Sequence, residues 1–169
     1  MFWPFWFQVL GFTLVQTVSG LQWIAGNGTI PSTAVPVRPN GVSLFYFCEV
    51  VVSSKGGQRI PGTLKPPDNS SCKYEEDAVV KSSTVFNVLV NPGGTALKWV
   101  YRSPLMTGVP AGAVKCHEGD NCYLGQSVHS EGICAELPGK IFSDQTQMIM
   151  TNDKGIFKCP FKMYFVETM

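Results

Sequence analysis

Charge is scarce in this sequence. Asp, Glu, Lys and Arg make up 15% of 169 residues and almost cancel, 13 basic against 12 acidic, for a formal net charge of +1 at pH 7. Such a balance lacks the basic stripe that holds a phosphate backbone, so no nucleic-acid partner is expected. Histidine is scarcer still, with only His117 and His129. General acid–base catalysis has few imidazoles to draw on, and neither a Gly-x-Ser-x-Gly elbow nor a His-Glu-x-x-His motif occurs. No enzymatic activity and no cofactor are expected. A sustained 3.6-residue apolar period is also missing, which excludes a helical bundle. Lys73 to Ser82 has room for one or two helical turns at most.

Residues 1–20 (MFWPFWFQVLGFTLVQTVSG) contain no charged side chain and end in the small residues Ser19 and Gly20. This pattern reads as a secretory signal peptide. The rival reading is an uncleaved anchor, since the length approaches the ~20 apolar residues of a membrane span; Pro4 and Gly11 weaken it. No second long apolar run follows, so no membrane span is expected after cleavage and the product is expected to be secreted and extracellular.

Cysteine usage agrees with export. Cys48, Cys72, Cys116, Cys122, Cys134 and Cys159 all follow the leader and are even in number, which in an oxidising compartment implies up to three disulfides. Their connectivity stays open; Cys116 with Cys122, or Cys122 with Cys134, is close enough to staple a hairpin. The same cysteines with His117 and His129 could be assembled into a zinc site, but their spacing fits no standard finger, and no metal is expected. Asn27-Gly28-Thr29 and Asn69-Ser70-Ser71 are glycosylation candidates.

What is present is strand composition punctuated by 17 Gly and 12 Pro, within a chain 44% hydrophobic and 12% aromatic. Leu44 to Val52 (LFYFCEVVV), Val85 to Val90 (VFNVLV) and Phe157 to Val166 (FKCPFKMYFV) are aromatic and β-branched runs, the last interrupted by Pro160. Proline cannot donate to a ladder, so that run is an edge, a bulge or two pieces. Lys154, Lys158 and Lys162 have helical spacing in this strand-like context and read as a solvated face. The class is all-β.

The second half restates the first at a spacing of about 76 residues. Trp23-Ile24 returns as Trp99-Val100, and Ile30-Pro31 with Ala34-Val35 returns as Val109-Pro110 with Ala113-Val114. Phe45 to Glu49 answers to Cys122 to Gln126, Ile60-Pro61-Gly62-Thr63 to Leu137-Pro138-Gly139-Lys140, and Phe86 to Val90 to Phe161 to Phe165. Five blocks keep one order. Two pseudo-symmetric units, 21–92 and 93–169, are therefore expected to share one globular core, because about 75 residues bury little surface alone. Asn91-Pro92-Gly93-Gly94 reads as the turn between them, and Trp23 and Trp99 as shared core rather than sugar-stacking platforms.

A Trp-Val start, a Pro-x-x-Ala-Val turn, an aromatic strand and a Pro-Gly-Lys turn, in duplicate from Leu21 to Val166, resemble tandem DM9-repeat proteins. That family includes invertebrate mannose-binding lectins and the lectin-like part of natterin-type toxins. The resemblance implies a β-sandwich of two repeats with a sugar pocket where they meet. In those lectins an Asp before the aromatic strand and the Lys of Pro-Gly-Lys contact the sugar, which carries over to Asp120 and Lys140 in the second repeat. The first repeat has Asn40 and Thr63 there, a degenerate counterpart. The family's Arg late in the aromatic strand is replaced by Glu49 and Gln126. A carboxylate facing an ammonium can grip vicinal hydroxyls through charge-assisted hydrogen bonds. The expected function is a secreted, non-enzymatic lectin for mannose-type microbial or host glycans, made effective by homo-oligomers. The alternative is a secreted protein-interaction or structural module that has lost the sugar site. A pore-forming toxin is disfavoured, since no long segment follows the second repeat.

Overall fold

The computed structural model describes residues 20–37, 45–101, 108–117, 121–127, 137–142, 148–152, 155–159 and 161–166. These form two six-stranded antiparallel sheets. The first contains β1 (Gln22–Ala25), β2 (Tyr46–Val52), β3 (Gln58–Leu64), β4 (Cys72–Glu76), β5 (Val79–Ser83) and β6 (Asn87–Val90), in the spatial order β1-β6-β2-β3-β4-β5. The second contains β7 (Leu97–Tyr101), β8 (Cys122–Ser127), β9 (Pro138–Phe142), β10 (Met148–Asn152), β11 (Gly155–Cys159) and β12 (Phe161–Val166), in the order β7-β12-β8-β9-β10-β11. The all-β expectation holds, and both sheets have one strand order. Registers correspond as well: Phe47 faces Thr63 as Leu124 faces Lys140, and Glu49 faces Pro61 as Gln126 faces Pro138. In both halves the Pro-x-x-Ala turn closes through an alanine N–H, Ala34 to Pro31 O at 2.9 Å and Ala113 to Pro110 O at 3.1 Å.

Strand composition explains most elements. Within β2, Phe47, Cys48, Glu49 and Val50 are all buried, because the strand lies inside its sheet and is covered on both faces. The run around Pro160 forms two pieces, β11 ending at Cys159 and β12 beginning at Phe161. Gly94 donates to Asn91 O at 3.2 Å in the turn between β6 and β7. Lys158 is exposed, as a solvated lysine should be; Lys154 lies outside the described residues, and the side chain of Lys162 is not described.

Two expectations are corrected. Lys73 to Ser82 forms no helical turn: it is the β4–β5 hairpin, with Cys72, Tyr74 and Glu76 buried in strict alternation. Its two-residue turn, Asp77-Ala78, has both residues at positive φ, 54° and 59°, the geometry that matches strand twist but ordinarily calls for Asn-Gly. The absent glycine hid the hairpin. Pro-Gly-Thr and Pro-Gly-Lys likewise are not turns but lie within β3 and β9. Pro61 and Pro138 sit where pairing to β4 and β10 lapses, so no ladder bond is lost. At Gly62 and Gly139 the neighbouring strand's carbonyl, Lys73 O or Ile149 O, occupies the space a Cβ would need.

One core cluster draws on both sheets, joining Leu21, Val37, Phe47 and Leu89 to Val114, Cys122 and Leu124. Trp23 and Trp99 both pack against it. Each half also has a cluster of its own, around Cys48, Leu64 and Val88 in the first and around Ile141, Met148 and Met150 in the second. Cys48–Cys72 crosslinks β2 to β4, and Cys116–Cys122 closes the loop before β8. The latter settles the open choice against Cys122 with Cys134. Cys159 is also disulfide-bonded, and Cys134 lies outside the described residues.

Candidate functional site

β3 of the first sheet packs against β9 of the second, and β4 against β10. Where the start of β3 and the end of β4 approach β8 and β9, a cavity of about 570 Å³ opens. The first half lines it with Lys55, Arg59, Glu75, Glu76 and Asp77; the second half contributes His117, Asn121, Cys122, Lys140 and Phe142. Its volume falls in the range of small-ligand sites, and its walls are ionic rather than apolar.

Lys140 is set by β9, whose alternation buries Ile141 and turns Lys140 toward the first half. Its ammonium donates to Glu75 Oε2 at 2.6 Å, an ion pair between the two halves whose side chains are only 12% and 17% exposed. Glu75 Oε1 accepts the Ala78 N–H at 2.9 Å, which ties the carboxylate to the hairpin turn. Burial pushes the Glu75 carboxyl upward, but the hydrogen bonds from Lys140 and Ala78 and the Lys140 charge outweigh it and hold the group below its ordinary value. Lys140 also lies 6.0 Å from the Phe142 ring centroid, at the edge of cation–π range.

The other charges are paired too. Lys55 donates to Asp77 at 2.6 Å and lies 3.7 Å from Glu76, which also receives Lys81 at 2.8 Å. The hydrogen bond with Lys55, then its charge, holds Asp77 below the usual carboxylate range, and the same bond raises Lys55. Arg59 reaches from the cavity to Glu49 Oε1 at 2.7 Å, where Asn87 also donates at 2.9 Å. Three lining cations, Lys55, Arg59 and Lys140, are matched in number by three lining carboxylates, Glu75, Glu76 and Asp77, so the wall is close to neutral although Arg59 pairs with Glu49 outside it. His117 Nδ1 is buried with no hydrogen-bond partner among the described residues, a polar atom left over on the cavity wall.

Of the residues expected from sequence, Lys140 lies in this cavity and Asp120 and Asn40 lie outside the described residues. Gln126 is buried and does not line the cavity. Glu49, 1% exposed, is the buried partner of Arg59 and Asn87. Thr63, the register counterpart of Lys140, is buried in a crevice with Glu75, Lys140 and Thr151, its Oγ1 without a partner among the described residues. Arg59 and Glu75 carry no motif and were not anticipated. A Gly56-Gly57 turn before Gln58-Arg59-Ile60, and alternation through Tyr74-Glu75-Glu76, are the signals that place them on strands entering the cavity. Among the described residues no group of three His, Cys, Asp or Glu could hold a metal ion, and no helix is long and apolar enough to cross a membrane. Neither a family model nor a curated protein matches this chain.

Proposed function

We propose that this protein is a secreted, non-enzymatic carbohydrate-binding protein of tandem DM9-repeat type, with the two halves related by a pseudo-twofold axis and a mannose-type glycan held in the cavity between them. The observation that carries the reading is the position of Lys140. The residue that the DM9 resemblance implies as a sugar contact lies on the wall of a ligand-sized cavity, paired at 2.6 Å with a carboxylate from the opposite half. Ammonium and carboxylate side by side supply donors and acceptors to vicinal hydroxyls, and a near-neutral wall suits an uncharged sugar. The disulfides agree with export into an oxidising compartment.

Each charge-assisted bond contributes about 1.5–3 kcal/mol before desolvation and immobilisation. The internal ion pairs must be shared with the sugar, so single-site affinity is expected near ~1 mM, about −4 kcal/mol. Useful binding then depends on several sites presented together by an oligomer.

The second reading, a protein-interaction module, is favoured by a different observation. Val85 is 81% exposed and Val51 46% exposed, both beside the crevice that holds Phe86, Glu49 and Asn87. A glycan array with mannose polymers and acidic glycans separates the two. Saturable binding to neutral mannose glycans, lost in Lys140→Ala and retained in Val85→Ser, supports the lectin. A folded protein that binds no glycan contradicts it and leaves the interaction module.

A further inference from the structure

We infer that Asn27 is an N-glycosylation site and that Asn69, which carries the same tripeptide signal, is not. Asn27 is exposed two residues beyond the end of β1, the edge strand of the first sheet among the described strands. Both folded contacts of its side chain use Oδ1, which accepts the Thr29 N–H at 3.1 Å and the Thr29 hydroxyl at 2.6 Å. None of the described residues receives a bond from Nδ2, the atom that would carry the sugar. Gly28, at φ +83°, has open space where a side chain would stand. A glycan on Nδ2 therefore breaks no hydrogen bond among the described residues.

Asn69 differs in its exposure and in the setting of its Oδ1. The residue is half-buried, its Oδ1 is shut from solvent without a partner among the described residues, and its N–H donates to Pro67 O at 3.0 Å. That buried oxygen pins the planar carboxamide against the protein, so Nδ2 lacks the freedom of the exposed Asn27 side chain. Three residues on, Cys72 is fully buried in its disulfide with Cys48.

The chemistry requires a lipid diphosphate-linked oligosaccharide as co-substrate. Asn27 Nδ2 attacks the anomeric carbon, the new N–C bond replaces the C–O bond to the diphosphate, the lipid diphosphate leaves, and the amide loses one proton. The cavity is lined from β3, three strands from β1 and about 14 Å away across the sheet, so Asn27 is not part of its wall. At the end of β1 the glycan would instead stand beside the edge strand of the first sheet among the described residues.

The inference rests on the export contained in the proposed function, and on nothing about sugar binding. The test is secretion from cultured eukaryotic cells, then amidase removal of N-glycans in heavy-oxygen water and peptide mass spectrometry. The expected result is heavy Asp at position 27 alone, one glycan's loss of mass on digestion, no such loss in Asn27→Gln or Thr29→Val, and an unchanged loss in Asn69→Gln. Heavy Asp at 69, or at neither position in secreted protein, overturns the assignment. Retention in the cytosol with reduced cysteines overturns export itself, and the site with it.

Discussion

At the scale of single residues, the Lys140–Glu75 pair separates stability from binding. Removing one partner of a largely buried pair leaves the other charge uncompensated, so Lys140→Ala is expected to destabilise the fold by about 3 kcal/mol, read by denaturant unfolding. Replacing both, as Lys140→Met with Glu75→Gln, removes the charges together and is expected to stay within about 1 kcal/mol of the wild type. Glycan binding is expected to be lost in both. Acid should weaken the pair in a defined direction. The Glu75 carboxyl is held below its ordinary value of 4.5, so the unfolded chain takes up its proton more readily than the folded one. The stability from this group is present above that value and is lost as pH falls through the folded pKa. Unfolding midpoints should therefore fall more steeply below about pH 4.5 in the wild type than in Glu75→Gln; parallel curves would remove the pair's electrostatic role. Lys140 was singled out through the DM9 resemblance and lines the cavity, while Arg59 and Glu75 were not anticipated, since contacts made by folding leave no trace in local sequence.

Elements were legible wherever composition and periodicity act together. The run that ends in Glu49-Val50-Val51-Val52 formed β2, and the run from Phe157 to Val166 divides into β11, ending at Cys159, and β12, beginning at Phe161. The β4–β5 hairpin was missed because its turn, Asp77-Ala78, lacks the glycine that marks such turns. That misfit is itself testable. Alanine at φ 59° is strained by about 1 kcal/mol, so Ala78→Gly is expected to raise stability by about that amount, checked by thermal unfolding. Gly139 gives the opposite sign. A methyl group there overlaps Ile149 O and the Met148 side chain and would force β9 from β10, so Gly139→Ala is expected to cost 2 kcal/mol or more, ~2–3. It should also weaken glycan binding by displacing its neighbour Lys140.

At the scale of the whole molecule, a common strand order and a core cluster shared by both sheets make the site a product of two halves. Neither half alone encloses the cavity, because Glu75 and Arg59 come from one and Lys140 and Phe142 from the other. Strand composition made the all-β class readable; the lining charges depend on how the sheets are packed, which no sequence block records. A division of the chain at Gly93-Gly94 is accordingly expected to abolish binding in each separate half.

The most direct measurement is a heteronuclear NMR titration of the folded, disulfide-bonded protein with a mannose oligosaccharide. The account predicts saturable shifts concentrated at Arg59, Glu75, His117, Asn121 and Lys140, on both sides of the cavity. No shifts, or shifts gathered instead around Val51 and Val85, would contradict it.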